Sequence, residues 1–374
     1  MGKKIIFTLG CLFICLYGFY RYYYCSNEQD NVVCVCSWCG VIPPDVFEDF
    51  EKETGIKIVY DAFGGNDVLE AKSLAGSNGY DVIFPSFIPY VSRGCLLGLY
   101  NKLDKTLIPN LKNIEKCPVT EKWIKAGGNV DYAIPFFWGT IGLIYNESIT
   151  SKLFPNIPID YKIIFDLENL KKISEYGVCF PEEYIDVFPQ AKIFWKISGG
   201  QKDAKNLKLY KEHLKKLRKY IRKFSSNTIE TDFELGEICI AISSSDNAWR
   251  VRQSMQGEKK IKYILPKEGG ILWVDCAVIP VGASHIQNAY KFLNFLLRPE
   301  VAARITNNSG ILTNVCGAAK FYNKEIKEDV IYLTSEEILR LSFGENASVN
   351  KEDIDYTRLA VKAYSEIKWR IEDD

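Results

Sequence analysis

Apolar residues along this chain fall into short runs alternating with stretches in which they recur every three or four positions. The first run in the body of the chain is Val32–Val35. Beyond it, Pro43-Pro44 opens a segment that carries Val46, Phe47 and Phe50 on one helical face, and Gly55 ends it. Proline suits a first helical turn, whose N–H groups are unpaired anyway, and glycine readily takes the left-handed conformation that closes a helix. Ile56–Tyr60 then reads as a second strand, Val68–Ala75 as a helix and Tyr80–Phe84 as a third strand. The order β-α-β-α-β predicts a parallel sheet covered by helices. Ligands of such sheets lie beyond the carboxyl ends of the strands. Trp38 follows the first strand and Ser86 the third, so both fall there.

The pattern continues with extended apolar stretches at Ala133–Asn146 and Ile271–Val281. Between them lies a basic helix, Ala204–Lys223, with Leu207, Tyr210, Leu214, Leu217 and Ile221 at helical spacing; its lysines and arginines read as a solvated face. Ala289–Leu296, Arg298–Thr306, Ser335–Leu341 and Tyr356–Ile371 also carry helical periodicity. At 374 residues the chain is long enough for two lobes, because single cores seldom grow beyond about 250–300 residues. A hydrophobic content of 47% with 13% aromatics indicates a folded body with a large core.

Forty-seven basic residues balance 47 acidic ones, which argues against a nucleic-acid partner. Two histidines, His213 and His285, leave little for His-based catalysis or metal binding. No nucleophile elbow, P-loop, zinc motif or Rossmann glycine fingerprint is present. Twelve cysteines are many. Cys34, Cys36 and Cys39 form C-x-C-x-x-C, which invites a metal or redox reading. With no second pair and no histidine nearby in sequence, a four-ligand zinc site is not completed. Cys34 and Cys36 read instead as small apolar groups on a strand. No metal and no cofactor is therefore assigned, and disulfide pairing is left open.

Lys3 and Lys4 precede an apolar run, Ile5–Tyr20, which Arg21 ends and Tyr22–Tyr24 extend. Residues 1–25 thus read as a secretory signal or, since no small-x-small cleavage site follows, an uncleaved N-terminal anchor. Either way the body is expected outside the cytoplasm. A lipoprotein reading through Thr8-Leu9-Gly10-Cys11 is weaker, because almost no apolar core precedes that cysteine.

The segment Trp38–Ser86, the string W-G-T-I-G-L-I-Y-N (Trp138–Asn146), I-L-P-K-E-G-G-I-L-W-V-D (Ile264–Asp275) and F-L-N-F-L-L-R-P-E-V-A-A-R-I (Phe292–Ile305) occur in order. Together they resemble the periplasmic spermidine/putrescine-binding proteins that feed polyamine transporters. The resemblance runs from about residue 32 to the C-terminus. It implies a two-lobed α/β fold of the type II periplasmic-binding-protein class, each lobe a mostly parallel sheet flanked by helices and joined by a hinge. Residues 32–143 and 274–343 would form lobe one, and 144–273 and 344–374 lobe two.

The resemblance also implies a ligand site. Trp38 stands where the family's first-strand tryptophan stacks on the ligand, and Ser86 matches the serine after the third strand. Glu183 and Asp186 align with an acidic pair that neutralises an amine; three apart, they would share one face of a helical turn. Trp273 and Asp275 match an aromatic-x-acid unit, and strand alternation puts both on one face. Asn247 aligns with an acid of the putrescine binders, with Asp246 adjacent. Other positions depart from the pattern: Cys39, Gly40 and Val41 replace a polar residue, an acid and a tyrosine, Ile88 and Ile311 replace tyrosines, and Ser244 replaces a tryptophan. Weakened or altered selectivity is the expected result.

The expected function is solute binding for a polyamine-type ABC transporter, with spermidine, putrescine or a related organic cation in the inter-lobe cleft. The expected partner is an inner-membrane permease, the protein acting as a monomer in the periplasm. Alternatives are a membrane-tethered sensor of a small cation and a hydrolase using two carboxylates.

Overall fold

The computed structural model describes residues 31–75, 79–197, 204–255, 260–267, 269–328, 333–344 and 351–369. The targeting segment read at residues 1–25 lies outside them. Among the described residues no helix is long and apolar enough to cross a membrane.

The first elements are β1 (Val32–Trp38), α1 (Pro44–Thr54), β2 (Lys57–Phe63), α2 (Asn66–Leu74) and β3 (Val82–Ile83). This is the predicted order, and β1 lies between β2 and β3 with both parallel to it. Pro44 starts α1, while Gly55, at φ 71°, closes it by donating its N–H to Glu51 O. Val46 and Phe50 are fully buried. The Phe50 ring meets Phe292 and Phe295 edge-on at 5.2 and 5.4 Å. The third strand is shorter than the apolar pattern predicts. Asp81 turns inward to accept the Cys34 and His285 N–H groups, and Ile83 leaves to bridge Val278.

The second sheet is built on β4 (Ile134–Asn146), whose first eleven residues are buried. Its other strands are β5 (Val178–Phe180), β6 (Lys223–Phe224), β7 (Ile240–Ser244), β8 (Ile261–Ile264), β9 (Ile271–Ala277) and β10 (Leu312–Thr313). β5 pairs in parallel with β6 and β7, whereas β4 pairs antiparallel with β7, β8, β9 and β10. A strand this long can run from one lobe into the other, and its partners follow it. The described helices around it include α3 (Phe188–Trp195), α4 (Ala204–Leu217), α5 (Ser245–Ser254), α6 (Ile286–Leu296), α7 (Pro299–Ser309) and α8 (Lys351–Trp369).

Burial divides these elements between two main cores. One gathers β1, β3, α1, α6, α7 and the first half of β4. The other gathers Leu143, β5, α4 and the Tyr356, Ala360, Tyr364 and Ile367 face of α8. Trp273 packs against both. A disulfide links Cys117, at the start of a helix, to the exposed Cys316 with Cα atoms 5.9 Å apart. Cys36, Cys179, Cys239 and Cys276 are free and buried, and Cys34 is free and half-buried; the burial of Cys36 fits its reading as a small apolar group.

Candidate functional site

Trp38 ends β1 and pairs in register with Phe63 at the end of β2. The two rings lie 4.5 Å apart at an interplanar angle of 48°, so the indole is braced by a neighbour at the same strand-end level. The Tyr60 hydroxyl fixes the turn below by donating to Trp38 O at 2.9 Å.

Ser86 and Asp275 are brought together by backbone register. The chain leaving β3 runs antiparallel to the end of β9, with Ser86 opposite Asp275 and Cys276 N–H bonded to Pro85 O at 2.9 Å. Ser86 Oγ donates to Asp275 Oδ1 at 2.6 Å. Asn66 completes the chain of donors, giving Nδ2–H to Ser86 Oγ at 2.9 Å while its Oδ1 accepts Ser86 N–H at 2.9 Å.

Asp275 is 5% exposed. Burial pushes its carboxyl up to about 7, opposed by the Ser86 hydrogen bond and by the Trp38 indole N–H, and assisted by the charge of Asp246. That indole N–H acts from just outside hydrogen-bond geometry, since it has no bonded acceptor. Trp273 lies on the same face of β9, opposite Gly139 of β4. A Cβ at Gly139 would fall 2.5 Å from the indole ring, so any larger residue there would push the ring from its place.

Glu183 and Asp186 come from the other core. Their segment is an extended residue leading into a single 3₁₀ turn, Tyr184–Asp186, and not the helix start expected from their spacing. The helix begins only at Phe188. C-terminal α8 holds the segment in place: Tyr364 donates to Pro181 O at 2.7 Å and Lys368 to Glu182 O at 2.8 Å. Glu183 is exposed and Asp186 half-buried, with neighbouring protein atoms partly desolvating both carboxyls. That desolvation, followed by the charge of Glu183, pushes the Asp186 carboxyl up to about 7. Desolvation and the Asp67 charge likewise raise Glu183.

Asp67 belongs to α2 of the first core, so acids from both sides converge. Tyr90 feels Glu183, Asp67 and Glu70 together, and Arg93, bidentate to Glu70, lies near Tyr184. Asn66, Asp67 and Tyr90 escaped the sequence reading. For Asn66 and Asp67 the signal is G-G-N-D directly after β2, a strand-end loop of the type that holds ligands.

Among the described residues no lysine or arginine forms a salt bridge with Glu183, Asp186 or Asp275. Asp246 differs, with Arg250 lying 3.1 Å from its carboxylate. Asn247 is also engaged, donating to Ser243 Oγ at 2.9 Å and accepting from Arg250. Arg250 thus offsets the charge of Asp246. Of the positions that depart from the polyamine-binding pattern, Val41 and Ile311 are buried and Gly40 is an exposed left-handed turn residue. A separate surface hollow between α1 and α7 shares no lining residue with this site, and its Arg298 and Arg304 already pair with Glu53 and Asp49.

Residues 45–334 match the family described as bacterial extracellular solute-binding protein. The chain is 35% identical to the putrescine-binding periplasmic protein SpuD of Pseudomonas aeruginosa, over 84% of this chain and 87% of that one. It is 32% identical to the putrescine-binding periplasmic protein PotF of Escherichia coli, over 80% and 82% respectively. Its fold superposes on the spermidine/putrescine ABC transporter substrate-binding protein PotD of Streptococcus pneumoniae with a TM-score of 0.72, at 24% identity, covering 90% of this chain and 99% of that one.

Proposed function

The chain belongs to the bacterial extracellular solute-binding protein family, and from that premise we propose that it holds a polyamine or related organic cation between its two lobes and delivers it to an ABC permease. Membership in this family makes it a binder of solutes and not an enzyme. The lobes comprise residues 32–143 with 274–343 and residues 144–273 with 344–374. The relatives' periplasmic location supports the same compartment here, with residues 1–25 directing export or tethering the protein to the inner membrane. The protein works as a monomer.

One observation carries the substrate class. Among the described residues Asp275 from one side and Glu183 and Asp186 from the other form no salt bridge, and only the more distant charge of Lys368 acts on Glu183, while desolvation raises all three carboxyls. Closing the lobes removes more water and makes uncompensated charge costlier. A cation relieves all three. A flexible chain with an ammonium at each end reaches both sides at once, and the Trp38 and Trp273 faces suit its methylenes and charges. Closure then follows from contacts that exist only in the closed form.

Arg250 beside Asp246 and Asn247 weakens the field at that end, which disfavours a third ammonium there and favours short diamines over spermine. Calorimetric titration of the folded protein with putrescine, spermidine and spermine tests this. Saturable binding with putrescine tightest is expected, and absence of heat with all three overturns the substrate class.

A further inference from the structure

The C-x-C-x-x-C motif acquires partners that its sequence surroundings lack. Cys34 of β1, Asp81 just before β3 and His285 at the start of α6 meet in the first core. Their ligand-capable atoms all lie within 4.8 Å of one another. Asp81 is 1% exposed and organises the group. Its Oδ2 accepts Cys34 N–H at 2.8 Å and faces His285 Nδ1 at 2.9 Å, while Oδ1 accepts His285 N–H at 2.8 Å. Cys34 and His285 are both half-buried, with one side open to solvent.

We propose that Cys34, Asp81 and His285 form a metal site of the zinc class, with three protein ligands and a solvent-facing fourth position. Zinc bonds of about 2.0–2.3 Å place tetrahedral donors about 3.3–3.6 Å apart, so the present spacing closes with side-chain shifts on the order of 1 Å. A mixed sulfur, nitrogen and oxygen set selects zinc-like ions over magnesium or calcium. The carboxylate keeps its bonds to the two backbone N–H groups, which hold it in place as a ligand. The site is distinct from the cation cleft, since Cys34 lies four residues before Trp38, about 13 Å along a strand at about 3.3 Å per residue. Its effect is to clamp β1 to α6 and leave solute binding alone.

The test uses the tag-free full chain, stripped with chelator and titrated with Co²⁺ as the optical probe. One equivalent should produce a thiolate-to-cobalt charge-transfer band that Zn²⁺ abolishes, and Zn²⁺ should raise the melting temperature. Cys34→Ser should remove the band, His285→Ala should weaken Co²⁺ binding tenfold or more, and Cys39→Ser should leave it intact. Circular dichroism establishes that each variant is folded, and the His285 variant stands as the independent arm if Cys34→Ser is not. No band in the wild type, or a band that survives Cys34→Ser, overturns the site. Competition between Zn²⁺ and putrescine overturns its separation from the cleft.

Discussion

Ser86 and Asp275, 189 positions apart in the chain, share a 2.6 Å hydrogen bond and face each other as an antiparallel bridge pair. The register between the segment after β3 and the end of β9 therefore places the acid, and the hydroxyl only trims its charge. Asp275→Asn keeps the shape and removes the charge. A charge-assisted hydrogen bond contributes about 1.5–3 kcal/mol, so putrescine affinity should fall about ten- to 150-fold by calorimetry. Ser86→Ala removes a neutral donor to a carboxylate that still meets the ligand, and its effect should be smaller.

The pH dependence follows from the two carboxyls pushed up to about 7, Asp275 and Asp186. Both must be ionised to hold an ammonium, so binding releases protons below pH 7. Affinity should rise from pH 5 to pH 8, approaching tenfold per unit for each coupled group on the acid side. Stability of the ligand-free protein runs the other way. A carboxyl with a raised folded pKa binds more protons in the native state, so its contribution is complete below the ordinary carboxylate range and is lost as pH climbs through about 7. Melting temperatures without ligand should therefore decline between pH 5 and pH 8, and saturating putrescine should reverse the trend.

The negative charge of Asp67 acts on Glu183 and raises its carboxyl further. Asp67→Asn should raise the melting temperature of the free protein at pH 8 while weakening diamine binding. A parallel loss of both would mean that Asp67 is structural.

Gly139 is required by the ring that crosses it. A methyl group there would overlap Trp273 at 2.5 Å, so Gly139→Ala should displace the indole. Loss of one cation–π face costs about 0.5–2 kcal/mol. Putrescine affinity should drop by about two- to thirtyfold with the far-ultraviolet circular dichroism unchanged.

Tyr364 ties α8 to the acidic segment through Pro181 O and is 2% exposed. Tyr364→Phe leaves that carbonyl without its partner at a cost of about 1–2 kcal/mol. Denaturant unfolding should show this loss, with weaker ligand binding because Glu183 and Asp186 are held less firmly.

Much of this could be read along the chain wherever a signal is local. Pro44 and Gly55 bracket α1, and Asp275 stands out as an acid in the apolar run of β9. Trp38 and Ser86 follow from the rule that ligands sit at strand ends. Features set by contacts between distant segments were not legible. Asn66 and Asp67 carry no distinct signal until α2 is set against Ser86 and Glu183. Glu183 and Asp186 have helix-start spacing, but Tyr364 and Lys368 of a distant helix fix their segment as an extended strand end and one tight turn. His285 shows no relation to Cys34 until Asp81 turns inward and shortens β3. The charge balance at Asp246 is a similar case, since Arg250 one turn along α5 offsets a carboxylate that sequence alignment alone would credit to the ligand.

The grip by acids from both lobes on one doubly charged guest is tested most directly by titrating the protein at pH 8 with putrescine and, separately, with butylamine, which keeps the carbon chain but only one ammonium. Putrescine should bind at least tenfold more tightly, and Glu183→Gln with Asp186→Asn should bring the two ligands to similar affinity. Equal binding of both amines to the wild type, or binding of neither, would contradict the account.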